Sequence, residues 1–261
     1  MTYTVNCSIL LTELPLLERP AAAKAAGFDA VEYWWPFARS VPGDAELDAF
    51  VTAIRNAGVQ LTGLNFNAGD MPGGDRGLVS WPARSNEFRD NIDVVAGIGK
   101  ELGCRAFNAL YGNRADDASA AEQDAVAIEN LAAAAAAVAG MDGIVLLEPV
   151  SGAERYPLKT AADALAVIER VIAQSGGTNI KLLADFYHLA VNGDDVASVI
   201  GNHAADFGHI QIADDPGRGA PGTGTLPLAD WLARSTELGY QGYIGLEYKA
   251  PRETAFSWLA A

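Results

Sequence analysis

The stretch Ile144-Val145-Leu146-Leu147-Glu148 is a continuous apolar run that ends in a carboxylate, and it lies between two helix-like segments, 119–139 and 160–174. A run of this kind is typical of a strand that is buried on both faces. The same alternation recurs along the whole chain, because apolar runs are separated by segments whose spacing and Ala, Leu and Glu content favour helix. The predicted strands are 4–9, 30–33, 60–65, 106–110, 144–148, 180–185, 207–212 and 243–247, and the predicted helices are 14–26, 44–57, 86–102, 119–139, 160–174, 194–200 and 228–238.

Strands that alternate with helices predict a parallel sheet whose crossovers are right-handed. For 261 residues the economical arrangement is a single domain over residues 1–261, a closed (β/α)8 TIM barrel of the α/β class. The alternative is an open doubly wound sheet, which usually carries a GxGxxG motif after its first strand. The loop 11–15 contains no glycine, and this favours the barrel.

The composition restricts the partners. The chain has 18 Lys and Arg residues against 33 Asp and Glu residues, a formal net charge of −15. This charge disfavours nucleic acid and anionic membrane surfaces, so we expect a small-molecule substrate, and we leave a homo-oligomer open. Cys7 and Cys104 are far apart, which argues against a disulfide scaffold and a thiolate zinc site. Residues 1–9 resemble a strand and not a signal peptide, so we expect a cytoplasmic protein.

Side chains with a terminal oxygen end four consecutive predicted strands, the fifth to the eighth: Glu148, Asp185, Gln211 and Glu247. The carboxyl ends of barrel strands meet at one mouth, where the active sites of such barrels lie. Three carboxylates at one place repel each other unless a cation lies between them. Ligands that are all oxygen favour a divalent metal such as Mg²⁺ or Mn²⁺ over zinc. The alternative is that the four groups form separate salt bridges with Arg and Lys residues of the loops.

The histidines have different expected roles. His188 follows Asp185 by three residues, where the strand becomes a loop, and could reach a substrate oxygen. Because alternate strand residues face the same side, His209 should lie one layer below Gln211 as an enclosed, hydrogen-bonded barrel residue. His203 precedes the seventh strand at the opposite end of the barrel, and we expect no catalytic role for it.

Two glycine-rich loops, 69–77 and 214–224, follow predicted strands and should lie on the catalytic face. They either cover the site, including closure of 217–224 over substrate, or serve as flexible connectors. An anionic substrate would need a local cation in this acidic protein. The first candidate is Arg218 and the second is Lys249, which lies two residues beyond Glu247; a surface charge is the alternative for both, and Arg76 and Arg155 are weaker candidates.

Taken together, these motifs resemble the hydroxypyruvate isomerase family of the xylose-isomerase-like barrels, which also include ketose 3-epimerases. The resemblance runs nearly end to end. It implies that Glu148, Asp185, Gln211 and Glu247 bind the metal and that Glu148 and Glu247 exchange protons with the substrate. It is carried by Glu18-Arg19, Ala25-Ala26-Gly27-Phe28, Val31-Glu32, Leu64-Asn65, Gly69-Asp70, Arg76-Gly77, Leu147-Glu148-Pro149, Asp185-Phe186-Tyr187-His188, Gly208-His209-Ile210-Gln211-Ile212-Ala213-Asp214, Pro216-Gly217-Arg218, Pro221-Gly222-Thr223-Gly224, Gly239-Tyr240 and Gly245-Leu246-Glu247-Tyr248-Lys249.

The activity that the resemblance implies is a metal-assisted aldose–ketose isomerisation through an enediolate. It interconverts hydroxypyruvate and tartronate semialdehyde, or acts on a close 2-oxo acid such as 2-oxo-tetronate. Ala220 and Thr225 stand where the family pattern has two acids, which leaves the exact substrate open. The alternatives are a ketose 3-epimerase acting on a neutral sugar, whose members usually place His where this chain has Gln211, and a non-catalytic barrel that binds a sugar acid.

Overall fold

The protein is described by a computed structural model that covers residues 1–260, and it confirms the predicted barrel. Eight parallel strands follow one another in chain order, and the last pairs with the first to close the sheet. Closure gives every strand two neighbours, so the barrel has no free edge. The strands are β1 (Thr2–Asn6), β2 (Ala30–Tyr33), β3 (Gln60–Asn65), β4 (Ala106–Asn108), β5 (Ile144–Leu147), β6 (Ile180–Asp185), β7 (Phe207–Ile212) and β8 (Tyr243–Leu246).

Helices surround the barrel and cover it with their apolar faces. In the helix that follows β3, for example, Phe88, Ile92 and Val95 recur on one face and are buried. Short 3₁₀ turns lie at Leu16–Glu18, Pro82–Arg84, Ala204–Asp206 and Ser257–Ala260. The α-helices are α1 (Arg19–Ala25), α2 (Asp44–Ala57), α3 (Ser85–Leu102), α4 (Ala120–Ala139), α5 (Ala161–Ser175), α6 (Phe186–Val191), α7 (Val196–His203) and α8 (Leu228–Glu237).

One helix departs from the sequence prediction and affects the site. His188 was expected in a loop, but it lies in α6, which begins directly after β6. The cause is the Asp185 side chain, whose Oδ1 accepts the backbone N–H groups of Tyr187 at 2.8 Å and His188 at 3.2 Å. A carboxylate in this position satisfies the free donors of the first turn and favours helix. Asp185 therefore both ends its strand and starts the next helix.

The glycine-rich loop after β7 is held together by one buried carboxylate. Asp214 Oδ1 accepts the N–H groups of Asp215 and Leu226, and Asp214 Oδ2 accepts those of Gly222 and Gly224. Four such bonds give this loop a defined shape at the mouth of the barrel. Among residues 1–260, no helix is both long enough and apolar enough to cross a bilayer.

Candidate active site

A cavity of about 1310 Å³ opens at the carboxyl ends of the strands. Glu148, His188 and Glu247 line its floor, and Trp34 and Trp35 form part of its wall. Glu148, His188 and Glu247 therefore face a common cavity at the end of the barrel where the active sites of this fold lie, whereas Asp185 and Gln211 are buried and do not line it. Arg218 and Lys249 also line the cavity, as do Arg76 and Arg84.

Glu148 follows β5 directly and is almost fully buried, with 4% of its surface exposed. Its Oε2 accepts a hydrogen bond of 2.6 Å from the Nδ2 atom of Asn108, and Asn108 is the last residue of β4. Its Oε1 lies 3.9 Å from His188 Nε2, which is too far for a hydrogen bond. One carboxylate oxygen is thus anchored and the other faces the cavity.

Asp185 divides its two oxygens in a similar way. Oδ1 is used by the cap of α6, whereas Oδ2 is buried and has no hydrogen-bond partner within residues 1–260. The nearest cationic or donor atoms to Oδ2 are His188 Nε2 at 3.7 Å and an Arg218 guanidinium nitrogen at 3.8 Å. A buried carboxylate oxygen without a donor is costly, so this atom requires a partner that residues 1–260 do not supply.

Gln211 and Glu247 are the other two predicted ligands, and Glu247 is not in the cluster of Glu148, Asp185 and His188, whose ligand atoms lie within 4.8 Å of one another. Gln211 Nε2 donates to Glu32 Oε1 at 2.7 Å, and this leaves Gln211 Oε1 buried without a hydrogen-bond partner within residues 1–260. Glu247 Oε2 accepts from Asn6 Nδ2 at 2.8 Å, and Oε1 forms an ion pair with Arg218. The alternative of salt bridges with loop Arg and Lys residues applies to Glu247, and to Asp185 through its 3.8 Å contact with the same Arg218, but Glu148 has no Arg or Lys partner within residues 1–260.

The donor set fits a hard divalent cation. Glu148, Asp185 and His188 bring one potential ligand atom each to within 4.8 Å of one another, and all three are buried. Asp185 Oδ2 and Gln211 Oε1 are buried oxygens without a donor among the described residues, as is Asn108 Oδ1, whose amide nitrogen bonds to Glu148. Oxygen atoms without donors are the ligands that Mg²⁺ and Mn²⁺ prefer.

The third member of this cluster, His188, has a hydrogen-bond pattern that favours donation from Nε2 over metal ligation, so the cluster itself offers two carboxylate ligands. Its Nδ1 accepts the backbone N–H of Ser151 at 3.1 Å, so Nδ1 carries a lone pair. Burial lowers the pKa of His188 to about 4, which makes the ring neutral at pH 7. A neutral imidazole with an accepting Nδ1 carries its proton on Nε2, the atom that faces Glu148 and Asp185. This agrees with the predicted role of His188 toward a substrate oxygen. Its partner Ser151 was not identified from the sequence.

Burial also changes the basicity of the two glutamates. It raises the pKa of Glu148 to about 8, with the nearby Asp185 charge as the second cause. It raises the pKa of Glu247 well above its usual range, although the adjacent Arg218 opposes this. Arg218 is itself largely buried and stacks on Tyr187 with its guanidinium carbon 5.6 Å from the ring centre. A positive charge among these carboxylates would favour their ionised forms.

We expect the metal-free protein to lose stability as the pH rises from about 6.5 to about 8. In the folded state Glu148 keeps its proton up to a pKa of about 8, whereas in the unfolded chain it loses the proton near 4.5. The unfolded state therefore binds fewer protons in this range, and higher pH favours unfolding. Between about pH 4 and 6.5 His188 acts in the opposite direction, because it is neutral in the folded state and protonated in the unfolded chain, so rising pH there favours folding.

Thermal unfolding in EDTA measures this effect, and a decrease of a few degrees in Tm over the range is expected. Glu148→Gln should reduce the slope, and added Mn²⁺ should do the same in the unmodified chain. An equal slope in the variant and the unmodified protein would show that Glu148 is ionised in the folded state.

Three residues that hydrogen-bond to the predicted ligands were not identified from the sequence. Asn6 and Asn108 end β1 and β4, but the predicted strands continued to residues 9 and 110, so a polar strand end could not be recognised there. Glu32 lies inside β2, where a charged residue in a fully buried strand was the available signal. These three residues contact Glu247, Glu148 and Gln211 respectively.

Comparison with known proteins agrees with the fold. Residues 20–261 match the family model described as xylose isomerase-like TIM barrel. A putative hydroxypyruvate isomerase of Streptomyces coelicolor is 55% identical over 99% of this chain and 95% of its own length. A 2-oxo-tetronate isomerase of Cupriavidus necator is 35% identical over 98% and 96%, and a hydroxypyruvate isomerase of Escherichia coli is 30% identical over 99% and 98%.

Solved structures show the same fold. A Brucella melitensis protein described as AP endonuclease, family 2, superimposes with a TM-score of 0.88 at 27% identity and covers 99% of this chain and 98% of that one. A D-psicose 3-epimerase crystallised in the presence of D-fructose gives a TM-score of 0.76 at 19% identity, over 96% and 86%. At that identity the likeness to the epimerase concerns the fold alone.

Proposed function

The chain belongs to the hydroxypyruvate isomerase family of the xylose isomerase-like TIM barrels, and from this membership we propose that it isomerises a small 2-oxo acid with the help of a divalent metal. The proposed reaction interconverts hydroxypyruvate and tartronate semialdehyde, or acts on a close relative such as 2-oxo-tetronate. The observation that carries the proposal is the pair of buried, partnerless oxygens, Asp185 Oδ2 and Gln211 Oε1, beside two glutamates at the mouth of the barrel.

Glu148, Asp185, Gln211 and Glu247 would hold the ion, which we propose to be Mg²⁺ or Mn²⁺. When bound, the ion would supply positive charge beside the substrate carbonyl and stabilise the enediolate. Glu148 and Glu247 directly follow β5 and β8, Asp185 closes β6, and Gln211 is the last residue but one of β7. Their backbone positions are therefore set by the sheet and not by mobile loops, as a site of defined geometry requires.

Glu148 and Glu247 are proposed to move the proton between the two substrate carbons. One carboxylate takes the proton from the hydroxyl-bearing carbon, and an acid returns a proton to the adjacent carbon, which had been the carbonyl. Burial makes both side chains stronger bases than exposed glutamates, and this suits removal of a proton from carbon. His188 Nε2 lies 3.9 Å from Glu148 and 3.7 Å from Asp185, and we propose that it donates a hydrogen bond to a substrate oxygen.

Arg218 and Lys249 are proposed to bind the substrate carboxylate. Both line the cavity of a protein whose net charge of −15 would otherwise repel an anion. Arg218 already pairs with Glu247 and lies 3.8 Å from Asp185 Oδ2, so its charge also offsets the carboxylates of the floor. Lys249 is exposed and forms no ion pair with residues 1–260, so its ammonium is free for the ligand.

The proposal is tested by proton NMR of hydroxypyruvate in D₂O with Mg²⁺ or Mn²⁺. We expect deuterium to enter the substrate and an aldehyde product to form, because both follow from removal of a proton from carbon. Absence of both signals with the metal-loaded protein, for hydroxypyruvate and for 2-oxo-tetronate alike, would contradict the proposed reaction.

A second candidate is 3-epimerisation of a neutral ketose. The cavity of about 1310 Å³ favours it, because a three-carbon acid fills only a small part of that volume. A panel of ketohexoses assayed under the same conditions distinguishes the two. Conversion of a ketohexose without turnover of either oxo acid would support the epimerase, and binding of a sugar acid without any exchange would support a non-catalytic barrel.

A further inference from the structure

We propose that Glu32 is a positioning residue that fixes the amide orientation of Gln211 and the place of Glu247, so that both present oxygen to the ion. The inference rests on the proposed metal site and deepens it. Glu32 lies in β2, on the far side of the barrel from Asp185, and only 2% of its surface is exposed. Burial of a carboxylate without hydrogen-bond partners is costly, so the buried Glu32 side chain needs specific partners.

Each oxygen of Glu32 meets a nitrogen from another strand. Oε1 accepts from Gln211 Nε2 at 2.7 Å and from Asn6 Nδ2 at 3.1 Å, and Oε2 contacts His209 Nε2 at 2.7 Å. His209 is thus the enclosed, hydrogen-bonded barrel residue that the sequence predicted. The three partners come from β1, which pairs with β2, and from β7, which is separated from β2 by β8 and β1, so this one carboxylate connects strands that are not all neighbours.

An ionised carboxylate only accepts hydrogen bonds, and this decides which way a neighbouring amide points. Glu32 pairs with the nitrogen of Gln211, so the oxygen of Gln211 must face away from it, and that oxygen has no hydrogen-bond partner within residues 1–260. If the Gln211 amide were free to rotate, its NH₂ group could face the cation in place of its oxygen. Removal of the carboxylate should therefore weaken metal binding although Gln211 remains.

Asn6 carries the same constraint to Glu247. Its Nδ2 donates both to Glu32 Oε1 at 3.1 Å and to Glu247 Oε2 at 2.8 Å, while its Oδ1 accepts the backbone N–H of Ser8 at 3.0 Å. All atoms of this amide are engaged, so it holds one orientation. Glu32 is therefore linked to two of the four proposed ligands. It contacts Gln211 directly, and Asn6 connects it to Glu247.

Two glycines provide the space that this carboxylate occupies inside the barrel. A Cβ atom at Gly245, in β8, would lie 2.6 Å from Glu32 Oε1 and 2.7 Å from Gln211 Cγ. A Cβ atom at Gly63, in β3, would lie 3.2 Å from the Cβ of Glu32. A side chain at Gly245 would therefore require Glu32 or Gln211 to shift, and one at Gly63 would make a tight contact with Glu32, so both glycines leave room for this carboxylate.

The test is the affinity of the metal-free protein for Mn²⁺, measured by titration calorimetry in the unmodified chain and in Glu32→Gln. The variant has the same shape, but its amide both donates and accepts, so it no longer selects the nitrogen of Gln211. We expect affinity to fall about 10–100-fold, the usual cost of losing an outer partner of a metal ligand. Thr4→Val is the matched control, because it removes a buried hydrogen bond to Thr62 in the same barrel interior, and it should retain affinity.

The same substitution in a second variant distinguishes loss of the Gln211 orientation from general damage to the metal site. A carboxylate presents an oxygen whichever way it turns, so in a chain that carries Gln211→Glu the further change Glu32→Gln should cause no loss of Mn²⁺ affinity. An equal loss in both backgrounds, or no loss in either, overturns the inference. Asn6→Ala breaks the link to Glu247 without altering Glu32 and should also weaken binding. Failure of the unmodified chain to bind Mn²⁺ would overturn the metal site and this inference together, whereas normal binding by Glu32→Gln overturns only the inference.

Discussion

Glu148→Gln is expected to lower kcat for isomerisation of hydroxypyruvate by about 10²–10⁴, the range that a positioned general base contributes. The side chain keeps its shape, and a glutamine oxygen can still accept the hydrogen bond from Asn108 Nδ2, which is 2.6 Å from Glu148 Oε2. What is lost is the oxygen that faces the cavity as a base. Burial raises the pKa of Glu148 to about 8, and an amide has no comparable basicity.

The measurement has to separate proton transfer from metal binding, because Glu148 is also a proposed ligand. Turnover and deuterium exchange are therefore measured at saturating Mn²⁺, after the affinity of the variant has been determined. A loss of exchange in fully loaded protein assigns the proton transfer to Glu148. Full activity of the loaded variant would instead favour a barrel in which Glu148 only binds.

The fold was accessible from the sequence because each predicted strand is an apolar run between segments with helical spacing. The errors lie at boundaries where local hydrogen bonds override hydropathy. The first strand was predicted over 4–9, but it ends at Asn6, whose carbonyl accepts the N–H groups of Ile9 and Leu10 and turns the chain. Similarly, α6 was taken for a loop because the cap provided by Asp185 depends on where the strand stops.

The oxygen donors were identifiable for a simple reason: a polar residue at the end of a buried strand can be recognised one strand at a time. The groups that orient them could not be recognised in this way. Asn6 faces Glu32 only because of the register between β1 and β2, and Ser151 meets His188 across 37 positions of the chain. Such contacts depend on the packed barrel, and hydropathy along the chain contains no information about them.

Asp185→Asn is expected to weaken Mn²⁺ binding by more than the roughly 10–100-fold that a lost outer partner costs, because a proposed ligand itself is changed. Oδ1 of Asp185 caps α6, and an asparagine oxygen can continue to accept the N–H groups of Tyr187 and His188. The buried Oδ2, which has no donor within residues 1–260, is the atom that becomes an NH₂ group. The substitution thus separates the structural use of this carboxylate from its proposed use as a ligand.

Asp214→Asn provides the matched control, since Asp214 is a buried carboxylate that follows the next strand and has all its acceptor contacts satisfied by backbone N–H groups. It loses the same charge, but one oxygen that holds the loop becomes a donor facing N–H groups, so it should lower thermal stability and retain Mn²⁺ affinity. The opposite pattern is expected for Asp185→Asn, because the NH₂ group there replaces an oxygen that no protein donor uses. If both variants lost stability and kept their affinity for Mn²⁺, Asp185 would be a helix cap alone and the ion would have to be held elsewhere.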